Sequence, residues 1–525
     1  MTSKIEHSDS AEQTMLPASF RVAFDAAIEH HLGVGGETVL LGGDPLRLLR
    51  MSTRTQGVVR GLKAARSLAE AAGSAGVAMG SVEKLARRLL QAGLAHPILE
   101  PTVDFSDVMV VLPVKDSPGR LDRALDAIRS SGFGGEIVVV DDGSRESLEQ
   151  VAARHQTRFI RNTISMGPAA ARNQGAARCT TSLIAFIDAD CIAGREWLAN
   201  TLAHFADSQV AIVAPRIVAT QSEPTQIGRP QLDGTKPSAT QPGATQPTER
   251  SALYAYEQVR SPLDLGPMAG PVRPTSRIAY VPAAALIVRR SVFESLGGFD
   301  ADLHVGEDVD FLWRAVAQGH TIRYEPTATV AHDHRVTWRA FVKRRAQYGT
   351  SAAELTERHA GQVPPLVLSP WSAAIWAGLA SQTPLAIVSA LCTFAYSTAK
   401  FPPKLAVLRH PGPLAIRLAV RGHSGAGRQL ASATWRTYLP LALAASGISR
   451  RARRWTIATA LLHNALDYRE RKPTLSVARY IGIRLLDDAA YCVGVWQGCV
   501  KKRTIGPLVP RIVNWPGRRS VSEDS

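Results

Sequence analysis

Two aspartates in the middle of the chain have the type and spacing of metal ligands. An apolar run, Leu183–Ile187, ends at Asp188 and Asp190, which are separated by one residue. A carboxylate at the end of a buried strand is costly unless it holds a cation or a polar ligand. Divalent cations that bridge phosphates take oxygen ligands, commonly one or two carboxylates together with the phosphate itself. The pair is therefore either a cation site for a phosphorylated ligand or an ordinary turn after a strand.

Three more acidic or polar clusters follow apolar runs elsewhere in the chain. They are VKD at residues 114–116, DDGS at 141–144 and GEDVDF at 306–311. Each cluster alone has a structural explanation, because Asp-Gly-Ser forms turns and acidic residues stabilise the start of a helix. Four such clusters in one crevice would repel each other strongly without a cation or a hydrogen-bonding ligand. Together they predict one polar ligand site.

The elements that would position these clusters alternate between strands and helices. The runs at Val108–Val114 and 136–140 are continuously apolar and rich in β-branched residues, which is typical of strands buried on both faces of a parallel sheet. Helical patterns follow at 119–131 and 145–154, and the alternation continues to Ile187. This order predicts an α/β domain with a doubly wound sheet, whose ligands bind beyond the carboxyl ends of the strands.

Five motifs within residues 106–350 resemble those of the family 2 inverting glycosyltransferases, which have the GT-A fold. They are VVLPVKD, IVVVDDGS, GPAAARNQGA, AFIDAD and GEDVDFLWRAVAQGH, in this order. The resemblance implies a GT-A type, doubly wound mixed sheet and the transfer of a sugar from a UDP-sugar donor. It also implies a divalent metal, Mn²⁺ or Mg²⁺, because the diphosphate leaving group develops charge.

The resemblance implies a role for each cluster. Asp190 is the expected metal ligand, Asp188 is expected on the metal or ribose side, and His332 is either a further ligand or a packing residue. Inversion needs a base that removes the proton of the acceptor hydroxyl, and Asp308 is the expected base, with Glu307 as the alternative. The residues expected to bind the donor nucleotide are Pro113, Asp116, Asp141, Asp142, Arg172, Asn173 and Asp188. The stretch 344–348 resembles one that closes over the diphosphate in some relatives, and a solvated helix face is the alternative.

Residues 14–100 predict a separate small domain. Two short strands at 38–41 and 46–50 flank a Gly-Gly-Asp-Pro turn, and helical patterns follow at 53–62, 67–72 and 82–92. This order suggests a winged-helix-like domain, and LLGGDPLRLLRMST and ARRLLQAGLAHP resemble the peptide-binding domain used in ribosomal-peptide maturation. Such a domain before a family 2 catalytic domain resembles the mycofactocin group of glycosyltransferases. That resemblance implies a peptide-derived redox cofactor precursor as the acceptor and glucose, in a β linkage, as the sugar.

Three other functions compete with this interpretation. A glycosyltransferase acting on a lipid carrier or a cell-envelope polysaccharide would share the catalytic motifs, but its N-terminal domain would lack a purpose. A nucleotidyltransferase would need a Gly-rich loop with Arg and Lys after the first strand, and residues 114–120 do not supply one. A basic DNA-binding winged-helix protein would not need acids at the strand ends. No nucleic-acid partner is therefore expected.

The C-terminal part of the chain is first apolar and then basic. Residues 366–400 predict an apolar span, in which 372–399 contain no charged side chain and are long enough to cross a bilayer. Residues 400–525 contain 22 Lys and Arg against 6 Asp and Glu, which accounts for the whole net charge of +16. This order is typical of a segment facing the cytoplasm. We expect an anionic membrane surface as a partner, one membrane-spanning segment near 372–396 and a basic helical region at 401–525, with a buried core helix as the alternative to the span.

Composition and cysteine usage agree with a cytoplasmic protein of several domains. A chain of 525 residues with 45% hydrophobic residues is expected to form two or three domains. Its five cysteines are odd in number and show no metal-type spacing, which favours a reducing compartment. Residues 1–13 predict a disordered tail without a secretory signal, and residues 221–250 predict a flexible insert in the catalytic domain. The expected location is the cytoplasmic face of the cell membrane.

Overall fold

A computed structural model describes residues 16–220, 249–334 and 337–513 of the chain. The tail predicted at 1–13 and nearly all of the insert predicted at 221–250 lie outside the described residues. The described chain forms an N-terminal region, a central α/β region and a C-terminal helical region.

The N-terminal region contains two small sheets and three helices. Its elements are β1 (Arg21–Phe24), β2 (Glu29–Leu32), β3 (Thr38–Gly42), β4 (Arg47–Arg50), α1 (Thr53–Lys63), α2 (Leu68–Ala75), α3 (Met79–Gln91) and β5 (Ala95–Ile98). Strands β2, β3 and β4 form an antiparallel sheet, and β1 pairs with β5. A capping box between Ser67 and Glu70 begins α2. The structure has strands and helices at all five predicted positions, and β1, β2 and β5 are additional.

The central region is built around a nine-stranded mixed sheet. Its elements are β6 (Val108–Val114), α4 (Pro118–Ser130), β7 (Ile137–Asp141), α5 (Glu149–Arg154), β8 (Arg158–Arg161), α6 (Pro168–Ala176), β9 (Leu183–Ile187), β10 (Cys191–Ala193), α7 (Trp197–Leu202), β11 (Val210–Ala219), α8 (Glu249–Arg260), β12 (Gly270–Pro271), β13 (Ala285–Arg289), α9 (Arg290–Ser295), α10 (Glu307–Ala317) and β14 (Thr321–His332). The strand order is β10-β14-β11-β13-β9-β6-β7-β8, with β12 paired to β14. Strands β9, β6, β7 and β8 are parallel, whereas β13 is antiparallel to both its neighbours. The mixed sheet agrees with the fold that the motifs imply.

Both faces of this sheet are covered, which explains the continuous apolar runs of its central strands. Along β6, Met109 and Val111 face a core formed with α6, α9 and α10. The alternate residues Val108, Val110 and Leu112 face a second core formed with α4, α5 and α7. Since successive side chains of a strand point to opposite faces, a strand covered on both faces must be apolar at every position.

The C-terminal region is almost entirely helical. Its elements are α11 (Trp338–Arg358), β15 (Val367–Leu368), α12 (Pro370–Ser381), α13 (Pro384–Ala399), α14 (Pro411–Arg436), α15 (Leu439–Ile448), α16 (Arg450–Ala458), α17 (Asn464–Arg471), α18 (Val477–Lys502) and β16 (Arg511–Ile512). Helices α11 and α18 pack closely because glycines lie at their contact. A Cβ added to Gly494 would lie 1.9 Å from the carbonyl oxygen of Ala346.

The apolar span predicted as one segment is divided into two helices. Helix α12 ends at Gln382, which adopts the left-handed conformation with φ of 53°, and Pro384 is the first residue of α13. Proline fits the first turn of a helix but cannot continue a preceding one, which explains the break. Within the described ranges, the helical stretch Pro384–Leu405 has the length and composition that a membrane crossing needs.

Candidate active site

A cavity of about 570 Å³ lies beyond the carboxyl end of β9. Strand β9 ends at Ile187 and β10 begins at Cys191, so Asp188 and Asp190 occupy the short connection between them. The predicted residues that line the cavity are Arg172, Asp188, Asp190, Glu307, Asp308 and His332. The structure therefore brings two of the four acidic clusters, which are more than 100 residues apart, to one site.

Arg172 connects these two clusters. Its guanidinium donates to Asp188 at 2.6 Å and to Glu307 at 3.1 Å. Burial alone would lower the pKa of Arg172, but the two carboxylates raise it above its ordinary value, so the side chain stays charged. The pKa of Asp188 is raised because of its burial and the nearby charge of Asp190, against the opposing effect of Arg172. The motif pattern predicted Arg172 as a residue of the donor-nucleotide site and did not reveal this bridge.

Asp190 and His332 form the best candidate for a metal site. The register of β10 and β14 places Cys191 opposite His332, and the His332 Nε2 atom lies 3.5 Å from an oxygen of Asp190. That distance is too long for a good hydrogen bond, and it is close to the separation of about 3 Å between adjacent ligands of an ion with bonds of about 2.1 Å. The Nδ1 atom of His332 has no hydrogen-bond partner among the described residues.

The donor set at this point fits an oxygen-seeking cation. The Cys191 sulfur also lies near Asp190 and His332. However, burial raises the pKa of the Cys191 thiol well above its ordinary value, which disfavours its thiolate form. Carboxylates with one imidazole suit Mn²⁺ or Mg²⁺ better than a soft metal that would require a thiolate.

The adjacent acids Glu307 and Asp308 differ in their environment. Glu307 is ion-paired with Arg172, whereas Asp308 accepts hydrogen bonds from the backbone N–H groups of Val309 at 2.8 Å and Ala283 at 3.3 Å. Burial, and then the charge of Glu307, raise the pKa of Asp308 to about 6. Asp308 is therefore a carboxylate in the cavity wall whose ionised form is only partly stabilised, as a general base requires.

The loops that follow β6 and β7 are joined to each other and do not line this cavity. The backbone N–H of Asp116 donates to the Ser144 hydroxyl at 2.8 Å, and the N–H of Arg145 donates to the Asp116 carboxylate at 2.8 Å. Pro113 and Asp141 are buried at the ends of the two strands. These residues stay predictions for nucleotide binding.

Two other predicted nucleotide residues are occupied by contacts within the protein. The carboxylate of Asp142 accepts bonds from the backbone N–H groups of Met166 and Gly167 and from two neighbouring side chains. The amide of Asn173 makes two bonds with the backbone of Phe299. Asp142 thereby holds the loop that starts α6, and Asn173 holds the loop that precedes α10.

The C-terminal helices supply a wall of the cavity, and most of its residues were not among those predicted for the site. Arg345 of α11 donates to Glu257 at 2.6 Å and to Asp487 of α18 at 3.0 Å, and the Tyr256 hydroxyl donates to Asp487 at 2.8 Å. Glu257, Arg345, Asp487 and Tyr491 all line the cavity. The signal that could have revealed this wall is the pair of acids in the apolar sequence RLLDDAAY, since buried acids need cationic partners.

Arg344 and Arg345 have different roles although they are adjacent. The guanidinium of Arg345 is held between two carboxylates, whereas that of Arg344 stacks on the ring of Tyr348 with 4.8 Å to the centroid and lines the cavity. Burial lowers the pKa of Arg344, but Tyr348, Glu307 and Asp188 raise it overall. Arg344 therefore remains a cation beside the acidic clusters.

The mixed α/β sheet and the acids beyond its strand ends agree with the glycosyltransferase class that the motifs imply, and sequence comparison gives the family. "Glycosyl transferase family 2" matches residues 109–269, and "Glycosyl transferase family group 2" matches residues 272–420. The chain belongs to family 2 of the glycosyltransferases, and the family and enzyme class expected from its motifs are confirmed.

Among its relatives, the chain is 36% identical to the pre-mycofactocin glycosyltransferase of Mycobacterium tuberculosis, over 95% of this chain and 99% of that protein. It is 24% identical to the glycosyltransferase AglE of Haloferax volcanii, over 43% of this chain and 64% of the relative. A solved structure of the mannosyltransferase PcManGT from Pyrobaculum calidifontis, in complex with GDP-Man and Mn²⁺, aligns with a TM-score of 0.36 and 17% identity, covering 74% of this chain and 89% of that chain.

Proposed function

We propose that this enzyme transfers glucose from UDP-glucose, with inversion, to a peptide-derived precursor of the redox cofactor mycofactocin. The observation that carries the chemistry is the contrast between two adjacent acids. Glu307 is neutralised by Arg172, whereas Asp308 has no such ion pair and its pKa is raised to about 6. The acceptor is supported by the identity with the Mycobacterium tuberculosis relative over nearly the whole chain.

In this mechanism Asp308 accepts the proton of the acceptor hydroxyl while the hydroxyl oxygen attacks the anomeric carbon of the donor, and the bond from that carbon to the UDP diphosphate breaks. A carboxylate with a pKa of about 6 is mostly ionised at pH 7 and is a stronger proton acceptor than an ordinary Asp. Arg172 holds Glu307 in an ion pair, and Arg344 lines the cavity, where its charge would stabilise the leaving diphosphate. A divalent cation held by Asp190, with His332 or Asp188, would supply the further positive charge that the diphosphate needs.

We also propose that the N-terminal, winged-helix-like domain holds the peptide part of the acceptor. Arg323, near the start of β14, donates to the carbonyl oxygen of Leu90 in the N-terminal domain, whereas His332 ends the same strand at the cavity. Nine residues of extended strand span about 30 Å. A peptide bound to the N-terminal domain would therefore need about nine extended residues to reach the site.

The test is the identity and linkage of the product. The full-length enzyme is incubated with Mn²⁺, the peptide-derived precursor and UDP-glucose, with UDP-galactose and GDP-mannose as alternative donors. We expect mass spectrometry to show the addition of a hexose from UDP-glucose. We expect the NMR coupling between the anomeric carbon and its proton to show a β linkage. An α linkage would exclude inversion. Transfer to an isoprenoid phosphate carrier but not to the peptide-derived precursor would refute the acceptor and favour the envelope alternative.

A further inference from the structure

Exposed apolar side chains are concentrated in the C-terminal part of the chain. Among the described residues, 7 of the large apolar side chains that are exposed precede Leu385, and 21 lie at Leu385 or after it. Helix α15 is largely apolar and has no buried residue. Exposed apolar side chains in such numbers are uncommon on proteins that act alone in water, which makes these helices a candidate contact surface.

The first component of this surface is a helical hairpin formed by α12 and α13. The helices are antiparallel, because the rings of Trp371 and Tyr396, at their distant ends, lie 5.4 Å apart. The imidazole of His423 in α14 makes hydrogen bonds to both Ser372 at 2.9 Å and Ser397 at 3.0 Å. Both ends of the hairpin are therefore fixed on α14, and its turn at residues 382–384 lies farthest from α14.

The second component is a hairpin formed by α15 and α16. The hydroxyls of Ser446 and Thr456 lie 3.1 Å apart across its turn. At its base, the indole N–H of Trp435 in α14 lies 3.2 Å from the Thr459 hydroxyl. The two turns meet, because the Gln382 side chain donates to the carbonyl oxygen of Arg451 at 2.9 Å. We call residues 382–391 and 441–454 the paired hairpin tips.

The paired hairpin tips combine apolar side chains with a cluster of cations. Leu385 is 83% exposed and Ile448 is 91% exposed. The four arginines that follow Ile448 are also exposed: Arg450, Arg451, Arg453 and Arg454. None of them forms an ion pair with a described acidic residue. Apolar side chains beside arginines match the boundary between the acyl chains and the phosphates of an anionic lipid bilayer.

We infer that the paired hairpin tips dock into the surface of an anionic lipid bilayer without crossing it. The helical stretch Pro384–Leu405 is long enough to cross by itself, but α12 has 12 residues and is about 18 Å long, so the two arms of this hairpin cannot both span a hydrocarbon core of about 30 Å. Since both ends of each hairpin return to α14, the chain enters and leaves the membrane on the same side. The apolar segment that the sequence predicts as a span becomes part of an interfacial anchor.

The binding test uses the full-length protein and vesicles of phosphatidylcholine with or without 30% phosphatidylglycerol. We expect cosedimentation with the anionic vesicles, weakened by 0.5 M salt. Changing the four arginines of the tips to Gln should weaken binding at least about tenfold. The matched control changes four exposed cations of the N-terminal region to Gln (Arg60, Lys63, Arg66 and Arg88) and should leave binding unchanged. Equal losses in both variants, equal binding to neutral vesicles, or self-association without vesicle binding would overturn the proposal.

A second experiment separates docking from crossing. In a Cys392→Ser background, Gln362→Cys and Lys404→Cys place one thiol before α12 and one after α13, and the other four cysteines are buried. We expect an impermeant maleimide to label both new thiols in inverted membrane vesicles and neither in intact spheroplasts. Labelling of the two thiols from opposite sides would show that the segment crosses the bilayer. Turnover of UDP-sugar by each variant checks that it is folded.

Discussion

Replacing Asp308 by Asn should stabilise the protein while nearly abolishing its activity. The pKa of this carboxyl group is raised from 3.8 to about 6, which makes its ionised form about 3 kcal/mol less favourable in the folded protein than in the unfolded chain. Because the folded protein binds the proton more tightly, its stability falls as the pH rises from about 4 to about 6 and stays at the lower value above that range. A neutral Asn does not carry this cost.

The net gain is smaller than 3 kcal/mol because Asn cannot accept both hydrogen bonds. Asp308 accepts one backbone N–H on each oxygen, from Val309 and from Ala283. The amide group of Asn would replace one of these oxygens with a donor, which costs about 1 kcal/mol. Asp308→Asn should therefore raise the free energy of unfolding by about 2 kcal/mol at pH 7.5, measured by urea denaturation. The gain should shrink at pH 5, where the wild-type carboxyl is mostly protonated.

The same substitution should lower turnover by about 10²–10⁴-fold with little change in donor affinity, because it removes the base and no donor contact. In the wild type, kcat/KM should fall as the pH drops below about 6, since protonation of Asp308 removes the base. Glu307→Gln should shift this fall in kcat/KM to lower pH, because it removes the neighbouring negative charge that helps to raise the pKa of Asp308.

Asp310→Asn is the matched control, two residues farther along α10. The Asp310 carboxylate is bonded to Arg314 at 2.8 Å and to His359 at 2.9 Å, so its replacement should destabilise the protein. The assignment of Asp308 as a general base with a raised pKa would be refuted by either of two results. One is a variant Asp308→Asn that is less stable than the wild type at pH 7.5, and the other is a variant that keeps more than a tenth of the wild-type turnover.

Three other substitutions test the metal, the bridge and the C-terminal wall. Asp190→Ala should raise at least tenfold the Mn²⁺ concentration that gives half-maximal UDP-sugar turnover, and an unchanged Mn²⁺ dependence would remove Asp190 from the metal site. Arg172→Met should destabilise the protein by about 3–5 kcal/mol in urea denaturation, because the buried carboxylate of Glu307 and the partly exposed one of Asp188 lose their shared cation; a loss below about 1 kcal/mol would contradict the bridge. Gly494→Ala should lower the unfolding temperature because its Cβ would clash with α11. In the same helix, Gly482 has open space around it, so Gly482→Ala should stabilise the protein by about 0.5–1 kcal/mol. Equal effects of the two changes would disprove the close packing of α11 on α18.

Much of the central region could be predicted from local sequence because its strands are apolar on both faces. The runs at β6, β7 and β9 contrast sharply with the polar turns that follow them. The added N-terminal strands lack that contrast. β2 has the sequence EHHL and β5 has AHPI, and each is a strand only because a partner elsewhere in the chain pairs with it.

In the candidate site, too, local sequence predicted some features, and others depend on contacts between distant residues. Strand ends and helix starts indicated that Asp188, Asp190, Glu307 and Asp308 would approach each other, and all four line one cavity. Their separate roles depend on which of these acids forms an ion pair with a cationic side chain. That choice rests on Arg172, which is 135 residues away from Glu307 in the chain.

The sequence by itself determined the family, the mixed α/β core and the identity of the acidic clusters, because these depend on local composition and on motif order. Only the tertiary structure decided how the charges pair, and that the C-terminal helices close the cavity and fold into hairpins. Ion pairs and helix contacts join residues that are distant in the chain, so local patterns do not encode them. The two aspartates of the first motif are separated in this way: Asp188 shares the guanidinium of Arg172 with Glu307, whereas Asp190 lies beside His332.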